Sequence, residues 1–306
     1  MPKHSPSASL KKQVDRIQSA YSSAAARIVS ILSALDPANF TAVDHGKALK
    51  DVQAAVDVLN LQVRSYAPEA IRAAYEASQG VARTRLEMIG AKPSKRYNPA
   101  RRDKKIAALT KTILRDYWKA NRTIEKTARQ YLSVMSQAAA GVAKVQAQVQ
   151  MFDSADVAEF IKRTVAGVLV ATTKYNKGIA HLTSADMAAK IRAKLIDRIQ
   201  GGNFIKINGR FYDLKSYSEL VARTRMRESQ TDAVIETCKE FENDLVEIPE
   251  HESVCEECIP HIGKVFSISG DHPDYPLLPD GGPPWHPNDW CYMNPTSENA
   301  LRWRNA

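Results

Sequence analysis

The chain has 306 residues, 44% of them hydrophobic and 25% charged, and a net charge of +9. That length exceeds one average domain and that hydrophobic share suffices for at least one buried core. A mean hydropathy of −0.37, with no apolar run of about 18 residues, excludes a helical membrane span.

The polar start Met1-Pro2-Lys3-His4-Ser5-Pro6 has no apolar stretch behind it, so no secretory signal is expected and folding in a cytoplasm is. From there the pattern is helical as far as residue 200, rich in Ala, Gln, Lys and Arg and poor in Gly. Val14, Ile17, Tyr21, Ala24, Ile28, Ile31 and Leu35 recur at steps of three and four, which predicts one apolar helix face ended by Asp36-Pro37. A second helix is expected after Thr41, with Val52, Val56, Leu59 and Val63 inward, and a third from Pro68 to Ile89. Lys92 to Pro99 reads as a basic connector. A long helical pattern then runs to about Val149, followed by helices over about 154–175 and 184–200, each opened by Ser.

The character changes at Gly201-Gly202. Apolar segments flanking Asn208-Gly209 predict a hairpin. Ser216 can cap a helix reaching about Asn243, with Leu220, Val221, Thr224, Ala233, Val234 and Thr237 inward. Residues 245–248 and 265–268 read as strands. The Pro-, Gly- and Asp-rich stretch 269–287 reads as a long loop, which a compact module must pin or use. The expected architecture is therefore a mostly α, basic N-terminal region over 1–200, either a bundle or an extended arm. A small α+β module with a Cys/His-pinned loop follows over 201–306. Charge divides the same way. Residues 1–200 carry 33 Lys and Arg against 16 Asp and Glu, a net +17, and residues 201–306 carry 10 against 18, a net −8. Different partners are expected for the two parts, with nucleic acid or an acidic surface for the first only.

Three constellations bear chemistry. All four cysteines follow residue 237, too few for a disulfide scaffold and clustered as metal ligands are. Cys255-x-x-Cys258 with His286 and Cys291 makes a four-ligand set for zinc, with His261 as substitute fourth ligand. Cys238, alone on its helix, reads as a small buried apolar residue. The second constellation is a basic stripe: Lys111, Arg115, Lys119, Arg122, Lys126 and Arg129 share a helix face, with Lys104 and Lys105 just upstream. Residues 92–129 hold 13 basic against 3 acidic side chains. Such a face either binds DNA without sequence preference or is merely solvated, opposite Ile113, Leu114, Trp118 and Ile124. The third is Arg223, Arg225 and Arg227, for which ion pairing with Asp244, Glu247 and Glu250 is expected.

Tyr217–Thr224, Asp244–Ile248, Cys255-x-x-Cys258, Gly263–Ile268 and Pro284-Trp-His-Pro-Asn288 occur in an order that resembles the C-terminal domain of the Mu F-like head-morphogenesis and minor capsid proteins of tailed bacteriophages. The resemblance covers about residues 200–296. It departs from that family's His-Pro-Asn-Cys close, because Asp289 and Trp290 separate Asn288 from Cys291. The resemblance implies a non-enzymatic structural protein of the virion head, assembled in the bacterial host cytoplasm beside the portal or major capsid protein and acting in assembly or DNA delivery. Two alternatives stand beside it. Cys255-x-x-Cys258, Asp271-His272 and Asn288 faintly resemble an HNH-type endonuclease with His272 as general base, although such folds usually carry a second Cys pair and none follows Cys291. A DNA-binding adaptor driven by the stripe is the other.

Overall fold

The computed structural model describes residues 8–36, 39–139, 184–200, 205–207, 210–250, 255–287, 289 and 291–305. The order is α1 (Ala8–Ser33), α2 (Ala42–Met88), α3 (Ala100–Ala139), α4 (Ser184–Gln200), β1 (Ile205–Ile207), β2 (Arg210–Tyr212), α5 (Leu214–Glu240), β3 (Leu245–Glu247), β4 (Val265–Ser267), a 3₁₀ turn (Pro279–Gly281), β5 (Asn294–Pro295) and α6 (Glu298–Asn305). The protein is mostly helical, with a small antiparallel sheet and a Cys/His cluster toward its C-terminus. The helix predicted over 154–175, the end of the long pattern beyond 139, and the Asn208-Gly209 turn lie outside the described residues.

Helix α1 forms where the periodicity places it, and Ile17, Tyr21, Ala24 and Ile28 are buried. The next buried position is Leu32 rather than Ile31 or Leu35, because 3.6 residues per turn carries the inward face from residue 28 to about residue 32. Pro68 does not divide a second helix from a third: α2 is continuous and contains it. A proline inside a helix costs about 3 kcal/mol or more through its missing N–H and its ring. Here its neighbours Ala67, Ala70, Ile71, Ala74 and Tyr75 are fully buried, and that packing offsets the loss.

The start of α2 is fixed by a reciprocal cap. The Thr41 hydroxyl and N–H both donate to Asp44 Oδ2, at 2.7 and 3.0 Å, and the Asp44 N–H donates back to Thr41 Oγ1 at 3.2 Å. Donation from the Thr41 hydroxyl, then from its N–H, holds the Asp44 carboxyl below its ordinary 3.8. A depressed carboxyl contributes stability above its unfolded value and loses it as pH falls through the lower folded one. Asp44→Asn should therefore fray residues 42–45 at neutral pH, and the difference from wild type should fade on acidification below 3.8. NMR backbone shifts report this, and identical pH profiles for both proteins would refute the cap.

The chain forms two compact units whose segments interleave: residues 1–20, 62–118 and 215–306 in one, and 21–61 and 119–214 in the other. In the second unit the Tyr21 hydroxyl donates to Asn121 Oδ1 at 2.7 Å, and Asn121 Nδ2 donates to Asn60 Oδ1 at 2.8 Å. This buried relay satisfies polar groups among Ile28, Leu59, Ile124 and Leu132. The hairpin β1–β2 of this unit is antiparallel, with Ile207 opposite Arg210, as the sequence predicts.

In the first unit α5 is the organising element. It begins two residues before Ser216 and buries Leu220, Val221, Ala233, Val234 and Thr237. The Tyr117 hydroxyl donates to the Ser218 carbonyl at 2.9 Å, and the Ser229 hydroxyl to the Ile71 carbonyl at 2.9 Å. Among the described residues, neither Arg225 nor Arg227 forms an ion pair with Asp244, Glu247 or Glu250. Arg225 pairs with Asp116 at 2.7 Å and with Glu228 at 2.5 Å, and Arg223 pairs with Glu219 one turn away on its own helix. Asp244 instead accepts the Ser267 hydroxyl at 2.5 Å and the Ser269 N–H at 2.8 Å, tying the end of β4 to the start of β3.

The three-stranded sheet has the order β4-β3-β5, antiparallel throughout, with Val246 facing Phe266 on one side and Pro295 on the other. One apolar core joins this sheet to the helices. Ala82 and Leu86 of α2 pack with Val234, Cys238 and Phe241 of α5, with Val246, Ile248 and Phe266 of the sheet, and with Cys258, Leu278, Cys291 and Met293. The connector after α2 also docks here, where the Ser94 N–H donates to the Glu240 carbonyl at 2.7 Å.

Candidate metal centre

Two loops build the site. The first is a tight turn in which the N–H groups of Cys258 and Ile259 both donate to the Cys255 carbonyl, at 3.0 Å each. A two-residue spacer in such a turn brings the two sulfurs to 3.2 Å. Gly263 ends it in the left-handed region, φ 74°, and its N–H donates to the Ile248 carbonyl at 2.7 Å, so the chain re-enters the sheet as β4. The second loop carries His286, whose Nε2 lies 3.0 Å from Cys255 Sγ and 3.2 Å from Cys258 Sγ. His286 Nδ1 donates to the Pro287 carbonyl at 2.8 Å, which leaves the Nε2 lone pair facing the sulfurs.

Two overlapping triads result. The donor atoms of Cys255, Cys258 and His286 lie within 4.8 Å of one another, as do those of Cys258, Asp289 and Cys291. The four residues chosen from sequence are thus brought together, and the cluster could hold a metal ion. Around a tetrahedral zinc, sulfurs would stand about 3.8 Å apart and sulfur and nitrogen about 3.6 Å. The observed separations are roughly half an ångström shorter, a gap that small side-chain rotations close, and far longer than a disulfide. All four cysteines are free thiols.

The thiols of the cluster are shifted in opposite directions. Burial pushes the Cys258 thiol up to about 12, with the Cys255 sulfur adding to the shift. Burial likewise raises the Cys291 thiol. The more open Cys255 is lowered, chiefly by its contact with Cys258. A divalent ion entering the cluster would displace these protons, so its affinity rises with pH.

Asp289 is the residue the sequence reading missed. It is 8% exposed, and burial acts to raise its pKa. Hydrogen bonds prevail and hold it low, from the Cys291 N–H at 2.7 Å, the Cys291 thiol and the Trp285 N–H at 2.8 Å, with the His286 charge adding; the Cys258 thiol also lies 3.5 Å from Oδ1. The carboxylate ties Trp285 to Cys291 and sits beside two sulfurs, where it could also offer an oxygen to a metal ion. Its signal in the sequence was the extra Asp between His286 and Cys291, a residue suited to bonding nearby backbone N–H groups.

His261 is not the substitute ligand. Its ring lies against that of Trp285 with centroids 4.3 Å apart, and it belongs to neither triad. His272 belongs to neither triad as well, and its Nε2 lies 3.1 Å from Glu298 Oε1. Cys238 is fully buried beside β3, and desolvation pushes its thiol up to about 12, as suits a packing residue. Asn288 lies outside the described residues.

The basic residues are all on α3 and all exposed: Lys104, Lys105, Lys111 and Arg115 in the first unit, Lys119, Arg122, Lys126 and Arg129 in the second. Lys105 pairs with Asp232 at 3.2 Å, and Arg129 with Glu125 at 2.9 Å. Ile113 and Ile124 are buried as expected, but Trp118 is 51% exposed rather than part of the apolar face. Trp118 stands three residues after Arg115 and four before Arg122, which puts it among the basic residues.

These features define a long-helix protein whose C-terminal part is an α+β core closed by a Cys/His cluster. Neither protein-family models, curated proteins nor solved structures yield a match to the chain.

Proposed function

We propose that this chain is a structural minor head protein of a tailed bacteriophage, placed at the portal vertex or capsid interior and acting in head assembly, DNA packaging or delivery. One observation carries the reading. The segments whose order resembles the Mu F-like domain do not scatter in space: α5, β3, the Cys255–Cys258 turn, β4 and the closing loop supply a single core and its cluster. Cys258 and Cys291 are buried, at 2% and 0% exposure, and a closed site of this kind suits a structural ion. Zinc is the ion proposed, because soft thiolates with an imidazole select it over oxygen-seeking cations. The cluster acts as a pin for the loop, not as a reaction centre. The portal and the major capsid protein are the proposed partners, and the exposed cations of α3 would meet packaged DNA through its phosphates, without sequence preference and with strong salt dependence.

Mass spectrometry of DNA-filled heads purified from a host carrying the gene tests the reading. The chain is expected at low copy in those heads and in complex with the portal. Its absence from purified heads would overturn the proposal. Plasmid nicking by the purified protein with Mg²⁺ or Mn²⁺, abolished by His272→Ala, would do so too and would place it among metal-dependent nucleases.

A further inference from the structure

Within the unit of residues 1–20, 62–118 and 215–306, a cavity of about 540 Å³ lies among α1, α2, α5 and the residues around β5. That volume suits a small organic ligand. Part of its wall is apolar, with Val81, Met226 and Val234. The rest is charged. Lys11, Arg85, Lys215, Arg223 and Arg227 face Asp15, Glu219 and Asp289, five cations against three anions and a net +2.

The anions are already engaged or peripheral. Glu219 pairs with Arg223 and accepts Gln18 Nε2 at 2.5 Å. Asp289 accepts the loop N–H groups described above. Asp15 is exposed. Arg227 is in a different position. Burial depresses its pKa, with the Asp289 charge opposing, yet among the described residues its guanidinium makes no hydrogen bond or ion pair. The same holds for the exposed side chain of Arg85. Both guanidiniums belong to residues that line the cavity, together with Tyr292. The Thr224 hydroxyl is buried, lines the cavity and has no hydrogen-bond partner. A withdrawn guanidinium brings five N–H donors that water no longer serves well, and a fixed fork of donors matches phosphate.

We infer that this cavity binds a phosphate monoester carrying a small apolar or aromatic group. The doubly charged head sits between Arg227 and Arg85 with Thr224 bonding one oxygen, and the body packs on Val81, Met226 and Val234. A phosphate monoester carries about −1.5 to −2 at neutral pH, which matches the net charge of the wall, whereas a carboxylate leaves one guanidinium unanswered. The inference is independent of the head-protein reading.

Calorimetric titration of the full-length protein with phenyl phosphate tests it. Saturable binding at one site per chain is expected, with inorganic phosphate and phenylacetate each at least about tenfold weaker. Arg85→Ala and Thr224→Val should each weaken phenyl phosphate by about tenfold while leaving the melting temperature unchanged, and Arg227→Gln should abolish binding. If Arg227→Gln does not fold, the other two variants decide. Absence of saturable binding, wild-type affinity in both Arg85→Ala and Thr224→Val, or phenylacetate binding as tightly as phenyl phosphate would overturn the assignment.

Discussion

Cys258→Ala is expected to abolish metal binding and to destabilise the C-terminal core by several kcal/mol, the scale on which a structural zinc contributes to folding. Cys258 belongs to both triads, so its loss leaves neither intact. Its side chain is also part of the apolar core beside Phe266 and Cys291, so truncation opens a hole as well as removing a ligand. Cys238→Ala is the matched control. That thiol is equally buried and equally raised by desolvation, but it stands outside the cluster, and its replacement should keep the metal and cost about 1 kcal/mol. Metal content by mass spectrometry and thermal melting with and without chelator separate the two. Wild-type metal content in Cys258→Ala, or a melting temperature indifferent to chelator, would dispose of the pinned loop.

The second large effect is expected at Phe241. This ring closes the end of α5, is 4% exposed, and packs with Leu86, Val246 and Cys258. The Arg83 guanidinium lies 5.7 Å from its centroid, and Arg83 also bonds Glu240 at 2.7 Å, so the ring sits under an anchored cation. Phe241→Ala should cost about 3–5 kcal/mol, the usual penalty for emptying such a site. Ile259, 60% exposed in the Cys turn, should tolerate alanine within about 0.5 kcal/mol. Urea unfolding followed by circular dichroism measures both. A Phe241→Ala cost near that of Ile259→Ala would mean that the core is far looser than its burial indicates.

How far the sequence spoke depended on whether the signal was local. Periodic burial in α1 and α2 was legible because helices repeat every 3.6 residues, and the strands at 245 and 265 because short β-branched and aromatic runs stood between turn residues. Pro68 misled for a physical reason: its local penalty is real, but buried alanines on either side outweigh it, and burial is a tertiary fact. Strand β5 was invisible because it is two residues long and ends in Pro295, which pairs only as an edge strand allows. In the cluster, the Cys-x-x-Cys spacing announced itself and His286 with Cys291 followed. Which groups stand behind them did not, since Asp289's bonds to Trp285 and Cys291, and the ring of His261 on Trp285, are set by how the loop closes. The partner of Arg225 was out of reach likewise: Asp116 is 109 residues away, and no local pattern links them.

The apolar core that includes Ala82 and Leu86 bears on how this protein can be handled in pieces. A gene fragment opening near Gly201 would encode the whole Cys/His cluster but leave its core without Ala82 and Leu86 of α2 and without Ile89 and Ala91, which pack against it. Supplying the α2 segment as a separate peptide would restore those contacts in trans, so the two halves form a natural pair for split-protein complementation.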